Sequence, residues 1–234
     1  MTTNRYDQQS IRELFDQMAS TYGHVHLVSS LGLAYAWRRQ VVEAIGQRRG
    51  QIADFMSAAG EVGALLRGRY ERLHCIDLST GMIALSRRHL ARHGEAIAYR
   101  TEDATECGLP ARSMDAITCA FGIKTLDGDG RRALLGQFHR ILKPGGIASI
   151  LEISVPRNRL LAGPFQIYGQ HYVPLLGRLF LGTPDHYRRL WEYTRDFTIG
   201  GMFHELEADG RWQVEKRCYL MGSAVQYLTT PTRA

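Results

Sequence analysis

The sequence predicts an α/β fold: a mostly parallel sheet with helices on both faces, closed by a C-terminal antiparallel hairpin. Three observations predict it. Short apolar runs alternate with helix-spaced apolar patterns from residue 51 to residue 154, as strands and crossover helices do. Met114 to Phe121 is apolar almost throughout, as a strand covered on both faces must be. Trp212–Cys218 and Met221–Leu228 read as a terminal hairpin around Gly222.

The elements follow in order. Ile11, Leu14, Phe15 and Met18 recur at helical spacing over Ile11 to Ser20, and Leu33 to Ile45 reads as a second helix ending near Gly46. Together, residues 1–46 form an expected N-terminal helical lid. Gln51 to Met56 is a short strand, and Val62, Leu65 and Leu66 open a helix after Gly60. Leu73 to Asp77 is a strand ending on an acid; Thr80 to His93 is a helix with Met82, Leu85 and Leu90 inward; Ile97 to Arg100 is another strand. Arg131 to Leu142 reads as a helix stopped by Lys143-Pro144-Gly145-Gly146, and Gly146 to Ser154 as the next strand. Residues 51–154 are therefore the expected α/β core. Residues 157–205 carry Phe165, Tyr168, His171, Tyr172, Tyr187 and Trp191 and read as one or two helices inserted before the last strands. Residues 211–228 form the hairpin, and Thr229 to Ala234 a frayed tail.

Composition bounds the function. A chain of 234 residues with 44% apolar and 22% charged residues fits one globular domain. The net charge of +6 comes from arginine doublets such as Arg38-Arg39 and Arg188-Arg189, and the only lysines are Lys124, Lys143 and Lys216. They form no long basic tract, so no nucleic-acid partner is expected. The polar N-terminus does not read as a signal peptide, and no apolar run is long enough to span a membrane. Cys75, Cys107, Cys119 and Cys218 are scattered without a CxxC pair. Reduced thiols in a cytoplasmic protein are expected, and no metal site is signalled.

In such a sheet, ligands bind beyond the carboxyl ends of the strands, where the strand order reverses. The segment Asp54 to Glu61, Asp77 and Asp103 all fall at that rim. Leu14-Phe15-Asp16, Trp37-Arg38-Arg39, Ile76-Asp77-Leu78-Ser79-Thr80-Gly81-Met82, Asp103-Ala104 and Phe121-Gly122-Ile123-Lys124 stand in sequence along the chain. Ile141-Leu142-Lys143-Pro144-Gly145-Gly146, Leu151-Glu152, Tyr168…Pro174…Gly177 and Tyr187…Leu190-Trp191 follow. In order and spacing this series resembles a UbiE-type methyltransferase, the family that C-methylates ubiquinone and menaquinone precursors.

The resemblance implies a Rossmann-like class I methyltransferase fold with helical lid elements, S-adenosyl-L-methionine (SAM) as cofactor, and a small-molecule acceptor, aromatic or prenylated. It leaves room for a homo-oligomer and for peripheral membrane contact. It places cofactor contacts at Asp54, Ser57, Ala59, Gly60, Asp77, Met82, Asp103, Ala104 and Ala120. Asp77 would accept the ribose hydroxyls; alternatively, it caps the helix from Thr80. Asp103-Ala104 would pair with adenine; alternatively, Asp103 is a turn residue. The family's Gly-Thr-Gly is Ala58-Ala59-Gly60 here, and its serine before Phe-Gly is Ala120. One glycine and two hydroxyls are thus absent from the methionine side.

Three residues are candidates for catalysis: Lys124, Tyr22 and His24. Lys124-Thr125 replaces the family's Arg-Asn; Lys124 reads equally as a charge facing a phenolate and as a surface lysine at a strand end. His24 and His26 read as a general base or as a polar lid segment. The resemblance places Trp37, Tyr168, His171, Tyr172 and Tyr187 around the acceptor, though an aromatic stripe is also what plain helix packing looks like. Three functions therefore stand: SAM-dependent C-methylation; a cyclisation, elimination or rearrangement on the same fold with SAM lost or non-reactive; and a non-catalytic partner in a biosynthetic complex.

Overall fold

The computed structural model describes residues 5–22, 28–30, 32–47, 50–93, 96–156, 158–179, 183–197 and 199–232. Seven strands form one sheet: β1 (Gln51–Phe55), β2 (Arg72–Asp77), β3 (Ile97–Thr101), β4 (Met114–Ala120), β5 (Leu142–Ile153), β6 (Trp212–Tyr219) and β7 (Ala224–Pro231). Their order is β3-β2-β1-β4-β5-β7-β6. β1 to β5 run parallel, and β7 lies antiparallel between β5 and β6. The chain builds outward from β1 to one edge and then from β4 to the other, so the order reverses between β1 and β4. A crevice opens there, beyond Phe55 and Ala120.

The helices are α1 (Gln8–Met18), α2 (Leu33–Ala44), α3 (Glu61–Leu65), α4 (Thr80–His89), α5 (Gly128–Ile141), α6 (Arg159–Ile167), α7 (Val173–Leu179), α8 (Pro184–Asp196) and α9 (Ile199–Ala208). Several start where the sequence supplies a cap. Asp7, Ser79, Asp127 and Asn158 each accept a backbone N–H of the first turn, at 3.0, 3.0, 2.8 and 2.9 Å. Fully buried Phe55, Ile76, Ile117, Phe138 and Ile150 fill one face of the sheet, and Val42, Ile52, Leu66, Leu73 and Leu90 the other.

Three expectations need correction. The segment 157–205 holds three helices, α6, α7 and α8, together with the start of α9 and a π-turn over Tyr168–Tyr172. The π-turn closes on Val173 N–H donating to Tyr168 O. Pro174, next in line, has no N–H to continue the α-helical ladder. The Lys143-Pro144-Gly145-Gly146 segment is not a stop ahead of the strand. β5 begins at Leu142, and the pairing with β4 slips between Met114 and Ala116, with Ala116 opposite Ile147. These residues bulge while the strand continues, with Gly145 at φ 77°. Nor is Thr229 onward a tail: β7 continues to Pro231, which pairs with Trp212.

Candidate functional site

The loop after β1 is fastened to the end of β2. Ser57 N–H donates to Ile76 O at 3.0 Å, and Ala58 N–H to Asp77 Oδ2 at 2.8 Å. The chain turns this tightly by placing Met56 at φ 52°, Ala58 at 45° and Gly60 at 82°. A left-handed alanine costs about 1–2 kcal/mol, which is where a glycine would relieve strain. Ala58 forms part of the cavity walls. Ala59 and Gly60, expected at the cofactor, do not border the cleft or either of the two cavities described below. Ala59 is buried in the cluster of Ile11, Leu14, Met18 and Met82, and its carbonyl lies 2.9 Å from His89 Nδ1. A β-carbon on Gly60 would meet Ser86 Oγ at 2.6 Å, so that glycine serves the packing of α3 on α4. Met82, also expected at the cofactor, is fully buried in the same cluster.

Beyond β1, β2 and β4 lies a cleft with about 710 Å³ of empty space, walled by Asp77, Leu78, Asp103, Ala104, Ala120 and residues of α1. Asp77 accepts Ser79 N–H at 2.9 Å in addition to the Ala58 amide. Burial pushes its carboxyl up to about 6, against those two hydrogen bonds. Asp103 caps the short turn Ala104–Glu106 through Thr105 N–H at 2.8 Å and also receives Gln8 Nε2 from α1. The capping reading and the cavity-facing reading therefore hold for the same carboxylate. Helix α1 is pinned over this cleft at its other end, where Asp16 accepts Ser79 O–H at 2.5 Å and Gly81 N–H at 2.8 Å.

A smaller cavity of about 190 Å³ adjoins the loop, walled by Arg38, Asp54, Ser57, Ala58, Glu61 and Ala120. Asp54 accepts Thr118 O–H at 2.7 Å on one oxygen, while its Oδ2 and Ser57 Oγ are buried without partners. Burial holds the Asp54 carboxyl up near 7. Arg38 is 4% exposed, sits 3.7 Å from Glu61 Oε1, and stacks over the Phe121 ring at 4.9 Å. The Arg38-Arg39 doublet reads in the sequence as solvated surface and as part of the family match, yet Arg38 is buried. A signal was present: Ala34, Arg38, Val41 and Val42 fall on one helical face, and that face is buried.

A third cavity of about 820 Å³ lies beneath α6 to α8, lined mainly by apolar and aromatic groups including Trp37, Tyr168, Tyr187 and Trp191. Phe15, Tyr22 and Phe121 border both it and the first cleft. Burial raises the Tyr22 hydroxyl far above its ordinary range. Lys124 enters this cavity from the sheet side and is not a surface residue. Its Nζ lies 2.8 Å from Glu152 Oε1 and also donates to Phe121 O. Phe121 takes φ 65°, another left-handed residue. Thr125 borders the first cleft instead, its hydroxyl bound to Gly122 O at 2.8 Å. His171 and Tyr172 are exposed and do not line the cavity, because the π-turn rolls them outward. His24 and His26 lie outside the described residues.

The arrangement is a cleft with two carboxylates, a small polar cavity with an arginine and two acids, and an aromatic chamber with a buried ammonium. The cleft joins the other two, sharing Phe15, Tyr22 and Phe121 with the chamber and Met56, Ala58 and Ala120 with the small cavity. A sequence model described as the ubiE/COQ5 methyltransferase family matches residues 2–226. The chain is 31% identical over 212 residues to the ubiquinone/menaquinone biosynthesis C-methyltransferase UbiE of Proteus mirabilis, covering 86% of this chain and 84% of that one. It is 29% identical over 228 residues to the demethylmenaquinone methyltransferase of Bacteroides fragilis, covering 95% and 92%. The fold is similar to that of DhpI in a SAM–HEP complex, with a TM-score of 0.66, 18% identity and coverage of 99% and 100%. It is likewise similar to a methyltransferase structure from Methanococcus maripaludis, with a TM-score of 0.62, 14% identity and coverage of 100% and 97%.

Proposed function

The chain belongs to the ubiE/COQ5 methyltransferase family, and from that footing we propose that it is a SAM-dependent C-methyltransferase acting on an aromatic, quinone-like small molecule. The observation that carries this reading is the junction of the carboxylate cleft and the aromatic chamber at Phe15, Tyr22 and Phe121. A cofactor in one and an acceptor in the other would meet there.

The residues present fit SAM. Asp77 keeps lone pairs for the ribose hydroxyls, and Asp103 with Ala104 faces the adenine side. The unpartnered Asp54 Oδ2 and Ser57 Oγ, together with Arg38, suit the ammonium and carboxylate of an amino acid. Arg38 thus offsets the hydroxyls that Ala59 and Ala120 do not provide. Bound SAM supplies an electrophilic methyl group on a sulfonium. The protein's part is to hold the acceptor ring in line with it, exclude water with aromatic walls, and stabilise the ring oxygen when it ionises. Lys124 holds that oxygen: two of its three N–H donors are taken by Glu152 and Phe121 O, which aims the third. Tyr22, at the junction, orients the ring.

A prenyl tail on the acceptor fits the same reading. Exposed Leu160, Ile167, Leu175 and Leu179 lie on α6, α7 and their ends, beside Arg159 and Arg178, where a membrane surface would meet the mouth of the chamber. Among the described residues no helix is long and apolar enough to cross a membrane.

A second reading rests on Ala58 walling both the cleft and the small cavity where the family has glycine: the fold would catalyse a rearrangement or elimination with SAM non-reactive. Calorimetric titration with SAM, followed by release of S-adenosylhomocysteine with a hydroquinone acceptor, decides between them. No binding at millimolar SAM sinks the first reading, and turnover indifferent to SAM establishes the second.

A further inference from the structure

Helix α8 presents one stripe to the aromatic chamber and another to the segment that leads into α1. Tyr187, Leu190, Trp191 and Thr194, three or four residues apart, line the chamber. Arg189, Tyr193 and Asp196 follow the same spacing on the same helix and do not border it.

This second stripe is engaged with residues 5–10. The Arg189 guanidinium donates through Nη2 to Arg5 O at 3.1 Å and to Ser10 Oγ at 2.7 Å, and through Nε to Tyr193 Oη at 3.2 Å. Tyr193 is completely buried, and its O–H donates to the same Arg5 carbonyl. Its ring lies 5.5 Å from that of Tyr6, and Asp196 pairs with the Arg5 side chain. One planar guanidinium thus reaches three acceptors in a fixed fork, which an ammonium does not reproduce.

What is held there belongs to the other cavity. Tyr6, Gln8, Ile11 and Phe15 wall the carboxylate cleft, and Gln8 Nε2 donates to Asp103. The far end of α1 is fixed separately, through Asp16 on Ser79 and Gly81. A segment leading into a helix keeps its place only where something ties it down. For residues 5–10, α8 supplies that tie.

We propose that Arg189 and Tyr193 are positioning residues for the cofactor. From the helix that covers the acceptor chamber, they hold residues 5–10 in place as a wall of the cofactor cleft, although neither borders that cleft. This rests on the reading that SAM occupies the cleft. With the clamp closed, Tyr6 and Gln8 close the cleft over the nucleotide, so loss of the clamp speeds its dissociation.

The test is calorimetric binding of SAM, with amide hydrogen exchange, on the full chain for wild type, Tyr193→Phe, Arg189→Lys and Arg188→Ala. Tyr193→Phe removes one buried O–H and keeps the ring against Tyr6. Arg188 is the control: it is exposed on the same helix and pairs with Asp185. Tyr193→Phe and Arg189→Lys should each weaken SAM about five- to tenfold. Exchange should quicken by a similar factor in residues 5–18 and stay unchanged in β1, β2 and β4. Arg188→Ala should bind SAM within twofold of wild type. Where Arg189→Lys does not fold, Tyr193→Phe decides alone. Faster exchange spread evenly over the sheet overturns the proposal, since that reports general destabilisation, and so does an equal loss in Arg188→Ala. If wild type does not bind SAM, the cofactor reading falls and the proposal with it. If wild type binds SAM and both clamp variants bind it as tightly, only the proposal falls.

Discussion

The ammonium of Lys124 lies 2.8 Å from Oε1 of Glu152, and the other carboxylate oxygen takes the Lys124 backbone N–H at 3.0 Å. Glu152 is completely buried and also receives Ile153 N–H at 2.8 Å. The pair is therefore an internal charge seat, and its geometry ties the end of β5 to the turn after β4.

Breaking that seat on one side leaves an uncompensated buried charge, which costs about 3–5 kcal/mol. Lys124→Met should lose that much stability in urea denaturation, and the double change with Glu152→Met should recover most of it. Lys124→Arg, which keeps the charge, should fold. On activity, Lys124→Gln should lower kcat about 100-fold or more, with SAM affinity within twofold. An unchanged kcat removes Lys124 from the chemistry.

Ala58 at φ 45° carries backbone strain and walls two cavities. Ala58→Gly should raise stability by about 1 kcal/mol, the left-handed cost less glycine's extra entropy, and tighten SAM binding several-fold. Weaker SAM binding in this variant would mean that the methyl packs against the cofactor instead of crowding it.

Burial of Asp54 raises its carboxyl from the ordinary range near 4 to about 7. Between those values the folded state holds more proton than the unfolded chain. This group's contribution to stability is therefore full below pH 4 and is lost as pH rises through 7. Asp54→Asn keeps an acceptor for Thr118 and removes the ionisation. The variant should be more stable than wild type at pH 8 by about 1–3 kcal/mol, with the gap closing toward pH 5. A gap that does not change with pH sinks this account.

Asp77 joins the loop to β2 and faces the cleft with what remains of its carboxylate. Asp77→Ala should weaken SAM about 100-fold or more, since hydrogen bonds to a charged group are worth about 1.5–3 kcal/mol each. Asp77→Asn should fall between. A titration showing wild-type affinity for Asp77→Ala would remove the ribose role.

Helical spacing and apolar runs located every strand of the sheet to within a few residues, because burial on one helix face or both strand faces is written locally. Pro174 and the segment around Gly145 escaped that reading: a π-turn and a bulge change hydrogen bonding without changing hydrophobic pattern. At the site, the acids Asp54, Asp77 and Asp103 were legible as strand-end and turn carboxylates. His171 and Tyr172 were not, since the π-turn rotates them to the surface.

By itself the sequence determined the α/β alternation, the rim on which Asp54, Asp77 and Asp103 fall, the family, and the alanines that replace a glycine and two hydroxyls. Only the tertiary structure decided that Lys124 is buried against Glu152, that Arg38 reaches the loop after β1, and that Arg189 and Tyr193 of α8 hold the Arg5 carbonyl. The reason is physical: alternation and end-of-strand acids depend on neighbours within a turn or two. Whether a charge or an N–H is satisfied depends on side chains that meet only when distant segments pack.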